Sequence, residues 1–570
     1  MTDKSMRIRI QIIAAFFILF GAALFFRFLY LQIYTGGQME NLSDRQSADV
    51  QEIIAERGFI YDSNGRELAV SVEVPSVYAI TYQVKNKEET AVKLAGILGM
   101  SRAEILKKFN SGRNFVWIMR KTEYEKGKRI KAMKLPGINT VLETKRFYPK
   151  GTLGAHALGF VNADAAGCEG LELSYNKYLS GKNGKLISVK DAKGREVVSG
   201  EVDYEAPQNG NNMILTINEG VQSIVEEELN IVFEKYHAKE ATAIVMNPAT
   251  GEILALANRP NYDPNKFNEY PQSYLRNRAV STAYEPGSTF KAVTMAAAFS
   301  EKVISEGDLI NCENGQMIVY GHKLNDHEKY KILNFRDAFA NSSNIGISKV
   351  GVMVGKDRLY KYIRNFGFGD KTGLTISGEV KGMVRSPEKW SGLSIYTVSI
   401  GQEISVTPLQ IASLYATIAN KGKMMQPMLV KAIKSKEGKI IKEFAPKEIR
   451  QVISEQVAER MTRVLKAVVE NGTGKEAAIP GLSLAGKTGT AQKFDPAIRK
   501  YSSSKYVASF AGFAPADNPK LAILVVVDEP STSRGIYYGG SVAAPAFGKI
   551  AKRALRCLEK KETDDIVKSN

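Results

Sequence analysis

Apolar and polar positions along this chain fall into blocks of different period. Residues Ile10 to Phe26 are apolar apart from Gln11, and past Arg27 the apolar run resumes through Phe28 to Tyr34. That length predicts one membrane-spanning helix, with Arg27 snorkelling outward. Lys4, Arg7 and Arg9 precede it, so the positive-inside rule keeps the N-terminus cytoplasmic and exports everything after about residue 36. Gly21–Ala23 faintly resembles a cleavage site, but the run outlasts a signal-peptide core, which favours an uncleaved anchor. From Gln38 to Glu205 short strand and helix patterns mix with many charges, and Ala206–Asn212 reads as a polar Pro/Gly linker. Beyond it, Ala243–Met246 and Glu252–Ala257 flank a turn and predict a hairpin. Val507–Phe513 and Leu521–Val527, joined across Ala514–Pro519, predict another. Helical periods run over Glu455–Val469 and Ala543–Cys557, and Ala292–Phe299 reads as a buried helix entered through Pro286-Gly287. The whole predicts an α+β protein. Residues 1–36 form the cytoplasmic tip and anchor, 37–205 a mixed α/β first domain, 213–558 a domain with an antiparallel sheet flanked by helices, and 559–570 a polar tail.

Composition narrows what this architecture can carry. The 570 residues suffice for two or three domains, with 44% hydrophobic residues, an ordinary globular value. The net charge of +18 invites a nucleic-acid reading, but the basic residues are spread along the chain and accompany no nucleic-acid motif. A protein facing anionic lipid would also tend basic, so no nucleic-acid partner is expected. Cys168, Cys312 and Cys557 lie far apart without metal-ligand spacing; they read as buried small apolar residues, and no metal or cofactor is expected. The four histidines, His156, His237, His322 and His327, stand in no nucleophile context, which argues against a histidine-based triad.

Three short strings carry the candidate chemistry: Ser288-Thr-Phe-Lys291, Ser342-Ser-Asn344 and Lys487-Thr-Gly-Thr490. Each recurs by chance elsewhere, at Ser386–Lys389, Ser502–Lys505, Lys371–Gly373 and Ser174–Asn176, so context decides. Ser288 stands at the start of a buried helix with Lys291 one turn on, whereas Pro387 follows Ser386 and Ser502 lies in a polar run that reads as a loop. Lys371 sits in a glycine-dense turn, while Lys487 reads as part of an edge strand. A serine hydroxyl attacking an amide needs a base, and an ammonium cannot accept a proton, so Lys291 must be neutral. Burial and a second cation at Lys487 are both expected to lower its pKa. Ser342 can relay a proton between the lysines and the leaving amine, and Asn344 can bond donor and acceptor atoms of a peptide. The backbone N–H groups of Ser288 and Thr490 are the candidate oxyanion donors. Lys487 with the hydroxyls of Thr488 and Thr490 would hold a terminal carboxylate, and Gly489 would leave room for a substrate beside the strand. His156, in a Gly/Ala-rich segment, reads as a packing residue; Arg57, Asp62 and Glu172 as fixing turns and interdomain contacts; Glu285 and Glu403 as orienting loops or facing solvent.

With these strings on the page the chain resembles a class B penicillin-binding protein. The resemblance rests on Tyr284–Lys291, Gly401–Pro408 and Gly486–Gln492 in the second domain, and on Arg57–Ala69, Arg146–Pro149, Ala155–Gly159 and Glu169–Glu172 in the first. Ser63 departs from it, standing where a basic residue is expected. The resemblance implies a pedestal domain carrying a monofunctional D,D-transpeptidase. Its substrate would be the D-Ala-D-Ala end of a peptidoglycan stem peptide, passed through an acyl-enzyme on Ser288 to an amine of a neighbouring stem, with β-lactams acylating the same serine. It further implies a SEDS-family glycosyltransferase as membrane partner, and the modest pedestal inclines toward the division and sporulation branch. Two alternatives part company after acylation: a serine β-lactamase passes the acyl group to water, and a β-lactam sensor or scaffold keeps it.

Overall fold

The computed structural model describes residues 3–34, 48–189, 203–495, 500–531 and 537–569. The expected membrane exit near residue 36 lies outside these. Helix α1 (Asp3–Leu29) continues as a π-helical turn over Tyr30–Tyr34, with no buried side chain along its length. Together they are long and apolar enough to cross a membrane. Contacts divide the chain into two compact units, residues 1–56 with 181–209, and residues 57–180 with 210–570. The smaller unit holds α1 and a three-stranded antiparallel sheet of Ala48–Ile53, Gly184–Val189 and Asp203–Glu205.

In the larger unit a seven-stranded sheet joins sequence-distant segments. Ile60–Tyr61 pairs antiparallel with Glu67–Ile80 and parallel with Asn212–Leu215, which pairs in turn with Val430–Lys434. The polar stretch ending at Asn212 therefore leads straight into a shared strand, held also by Phe59 N donating to Asn212 Oδ1 at 2.8 Å. Asp62 closes the turn after Ile60–Tyr61 by accepting from the amides of Asn64 and Arg66. Its other oxygen accepts from Glu219 N, at the start of helix α2 (Glu219–Lys235).

Behind this sheet lies a buried charged network. Glu172, fully buried, accepts from Arg57 Nε and Arg146 Nε, each at 2.7 Å, and from Tyr148 Oη at 3.2 Å. Burial pushes the Glu172 carboxyl up, but Arg146 and Arg57 outweigh it and hold it below the ordinary range. His156 is buried nearby, with Nε2 bonded to Tyr274 O at 2.9 Å and its ring edge-on to Tyr262. Burial lowers its pKa to about 3, so it is neutral at working pH, the packing role read from its surroundings.

The site rests on a five-stranded antiparallel sheet of β1 (Glu240–Met246), β2 (Ile253–Arg259), β3 (Ala485–Asp495), β4 (Lys500–Ala514) and β5 (Leu521–Asp528), in the order β2-β1-β5-β4-β3. Both predicted hairpins are present, β1–β2 and β4–β5. Their unbroken apolar runs follow from cover on both faces. Ala243 and Val245 pack with α2 and with α7 (Ala544–Ser569), while Ile244 and Met246 join a core built on α3 (Lys291–Ser300), α5 (Pro408–Ala419) and α6 (Glu455–Glu470). Helix α4 (Asn344–Val354) completes that side. Ser502–Lys505 belongs to β4 rather than to the expected loop, because the β3–β4 ladder reaches Phe494 and Tyr501. Only Cys312 is buried; Cys168 and Cys557 are half-buried, against expectation, each at the edge of its cluster.

Candidate active site

Ser288 sits in a 3-10 turn, Gly287–Phe290, that runs without a break into α3. Neighbouring elements pin this turn at several points. Gly287 N donates to Gly401 O at 3.1 Å, Tyr415 Oη from α5 donates to Thr289 O at 2.9 Å, and Thr294 Oγ1 donates to Ser399 O at 2.8 Å. Gly287 has φ 54° and a Cβ there would stand 3.1 Å from Ala491 Cβ, so a glycine is required for the turn to reach β3. Gly489 answers it from the strand. Strand β3 keeps an unpaired outer edge among the described residues, and on its inner face a Cβ on Gly489 would lie 2.3 Å from Ser509 Oγ and 3.0 Å from Thr289 Cγ2. Its absence lets the serine turn close on the sheet.

Lys291, 0% exposed, donates to Ser342 O at 2.7 Å, Asn344 Oδ1 at 2.8 Å and Ser342 Oγ at 3.2 Å. Ser342 Oγ in turn donates to Ser288 Oγ at 3.0 Å. A hydrogen-bonded line thus runs from the Ser288 hydroxyl through Ser342 to the Lys291 amine. Ser342 adopts φ 60°, left-handed for a residue with a Cβ, and Ser343 caps α4 by accepting from Gly346 N at 2.9 Å.

Every hydrogen-bond acceptor of Lys291 is neutral, so no opposite charge in direct contact offsets the loss of water around its ammonium. Burial brings its pKa down to about 7, against a smaller opposing pull from Asp326. Lys487, on edge strand β3, is equally buried and lies well below its ordinary range, first through burial and then through repulsion by Lys291. The two buried cations repel each other, as expected of a second cation beside Lys291. Lys487 Nζ donates weakly to Thr488 Oγ1 and Thr488 O, at 3.2 and 3.3 Å. Thr488 Oγ1 is 2.7 Å from Thr473 Oγ1, and Thr490 Oγ1 accepts from Gly539 N at 3.0 Å.

The structure therefore gathers Ser288, Lys291, Ser342 and Asn344 into one bonded cluster, beside a strand carrying Lys487, Thr488 and Thr490. It leaves the chance strings elsewhere: Lys371 is exposed, Ser386 begins an isolated 3-10 turn, and Asn176 Oδ1 accepts from Arg57 and Gly167. Glu285 and Glu403 orient loops, with Glu285 Oε1 accepting from Glu403 N at 3.0 Å and Tyr501 Oη at 3.1 Å. Two residues escaped the sequence reading, Thr473 behind the strand and Asp326, which accepts from Ser343 Oγ and Ile345 N. Neither stands in a recurring string; only the folded loops bring them to the site.

A serine held to a buried, near-neutral lysine through a second hydroxyl, under the edge of an antiparallel sheet, defines a serine acyltransferase centre. Residues 241–552 match the penicillin binding protein transpeptidase domain, and residues 52–215 the penicillin-binding protein dimerisation domain. Stage V sporulation protein D of Bacillus subtilis is 36% identical over 95% of this chain and 85% of its own length. The peptidoglycan D,D-transpeptidase FtsI of Escherichia coli K12 is 34% identical over 93% and 89%. Among solved structures, penicillin binding protein 3 of Mycobacterium tuberculosis in complex with aztreonam superposes with a TM-score of 0.69 at 27% identity, covering 89% of this chain and 97% of that one. A peptidoglycan synthetase from Bifidobacterium adolescentis gives 0.71 at 26% identity, covering 90% and 97%. The chain belongs to the class B penicillin-binding proteins, a membrane-anchored family whose pedestal carries a transpeptidase domain.

Proposed function

We propose that this protein is a peptidoglycan D,D-transpeptidase that cross-links stem peptides through an acyl-enzyme on Ser288. The observation that carries the reading is the line Ser288 Oγ, Ser342 Oγ, Lys291 Nζ, with Lys291 brought to about 7 by burial. With Lys291 neutral both hydroxyls turn round, Ser288 donating to Ser342 and Ser342 to the amine, and the Ser288 proton passes along this line as Oγ attacks the carbonyl between the two D-Ala residues. The amide bond breaks, the proton passes to the leaving D-Ala amine, and an acyl ester remains on Ser288. An amine from a neighbouring stem then attacks the ester, returns its proton along the same line and frees Ser288. The N–H groups of Ser288 and Thr490 hold the oxyanion, each contributing about 3 kcal/mol by analogy with other acyl-transfer sites.

Lys487, Thr488 and Thr490 receive the terminal carboxylate. An arriving anion offsets the burial of Lys487 and favours its protonated form, so the site charges as it fills. Asn344 lines the cleft with an amide fixed by two neighbours, accepting from Lys291 and donating to Asn325 O. A β-lactam presents a strained amide and a carboxylate in the same relation and acylates Ser288 by ring opening. Hydrolysis as the main activity is not favoured, because Lys291 contacts only neutral groups and no carboxylate is hydrogen-bonded to Ser288 among the described residues.

The domain limits of this reading are 1–36 for the anchor, 37–205 for the pedestal, 213–558 for the transpeptidase domain and 559–570 for the tail. Lys4, Arg7 and Arg9 support a single pass with the N-terminus cytoplasmic and the catalytic domain outside. A SEDS-family glycosyltransferase that polymerises the strands to be cross-linked is the proposed membrane partner, reached through α1 and the pedestal. The sporulation and division names of the relatives support that branch.

Incubation of the detergent-solubilised full-length protein with a penicillin, followed by peptide mass mapping, tests the site. One adduct on Ser288 and none on Ser288→Ala is expected; an adduct on any other residue removes the assignment.

A further inference from the structure

Beside the cleft a small hairpin, Gln316–Val319 with His322–Asn325, ends in Asn325 and Asp326. These two consecutive residues take three hydrogen bonds from three consecutive residues of the Ser342 loop. Asn325 O accepts from Asn344 Nδ2 at 2.9 Å, Asp326 Oδ2 from Ser343 Oγ at 2.6 Å, and Asp326 Oδ1 from Ile345 N at 2.9 Å. The loop needs such a hold, because Ser342 at φ 60° occupies backbone space unfavourable to any residue with a Cβ, and its hydroxyl must stand between Ser288 and Lys291.

We infer that Asp326 is a positioning residue for acyl transfer, clamping the Ser342–Asn344 loop so that Ser342 Oγ bridges the nucleophile and its base. The inference rests on the transpeptidase reading and adds a residue outside its three motifs. Asp326 has a second effect through space. Both of its oxygens are taken by the loop, yet it is the ionised acid that acts on Lys291, favouring the protonated amine against burial. Lys291 is faced from β3 by Lys487 and otherwise by neutral Ser288, Ser342 and Asn344. Around Asp326 itself stand Cys312 and Tyr330, both raised first by burial and so neutral at working pH, while His327 lies against Tyr538 at 4.7 Å between ring centroids.

The test compares full-length wild type, Asp326→Asn and Ser343→Ala, acylated by a penicillin between about pH 5 and 9 and followed by intact mass. Asp326→Asn removes the charge at nearly constant shape. Its acylation rate is expected to fall about tenfold or more through loss of geometry, and its inflection to move down by about half a pH unit or more, since Lys291 then sheds its proton more readily. Ser343→Ala keeps the charge and breaks one strand of the clamp together with the α4 cap, so its rate falls while its inflection stays. An Asp326→Asn rate equal to wild type, or a fall with an unmoved inflection, overturns the inference. An unchanged rate in Ser343→Ala overturns the clamp by itself, even where Asp326→Asn fails to fold. Wild type unlabelled at Ser288 would instead defeat the underlying functional reading, a separate outcome read from the same spectra.

Discussion

Two of the places where this molecule buries cations solve the problem in opposite ways. Behind the seven-stranded sheet, Arg57 and Arg146 converge on Glu172, which stays ionised and bonds both. At the cleft, Lys291 and Lys487 are just as buried but have no carboxylate in contact, only carbonyls, hydroxyls and an amide. The first arrangement keeps its charges and fixes structure. The second drives lysine toward the neutral amine and so creates a base. Residue type matters too: guanidinium holds its proton far too tightly to follow lysine into neutrality, so arginine suits the structural site and lysine the reactive one.

The sharpest way to break the contrast is to remove the reactive cation. Lys291→Met keeps bulk and burial but offers no base, and Ser288 acylation is expected to fall about 10³-fold while the protein remains folded. Rate against penicillin concentration checks it, and a fall under tenfold would place the base elsewhere.

Removing the shared anion of the other network should act on stability. Glu172→Ala leaves two buried guanidinium groups facing each other, at a cost of about 3–5 kcal/mol in denaturant unfolding. Acylation of the folded fraction is expected to be unchanged. The pH dependence has a defined sign: the Glu172 carboxyl is lowered from the usual 4.5, so its contribution is present above that value and lost as pH falls through the folded value.

The smallest effect concerns the joint between the two regions. Asp62→Ala loses the turn contacts to Asn64 and Arg66 and the acceptor for Glu219 N, and should destabilise by about 1–2 kcal/mol without altering acylation. Equal melting curves for variant and wild type would show that this joint carries no weight.

Much of this was legible in the sequence because local signals and chemistry coincided. Pro286-Gly287 before an apolar run announced the serine helix, and apolar runs bounded by turns announced β1–β2 and β4–β5. The chance strings could be discarded because they lacked such flanks. Other features were invisible for physical reasons. The missing Cβ of Gly489 answers a turn two hundred residues earlier in the chain, a closeness that only the fold creates. Asp326 belongs to no string, and its role exists only once a hairpin lies against the Ser342 loop.

The central claim is that burial makes Lys291 a base at ordinary pH, and the pH dependence of Ser288 acylation in the wild-type protein tests it most directly. The rate should rise with pH and level off through an inflection near 7, where Lys291 loses its proton. A rate still climbing toward the ordinary lysine value of 10.5, with no inflection near 7, would contradict it.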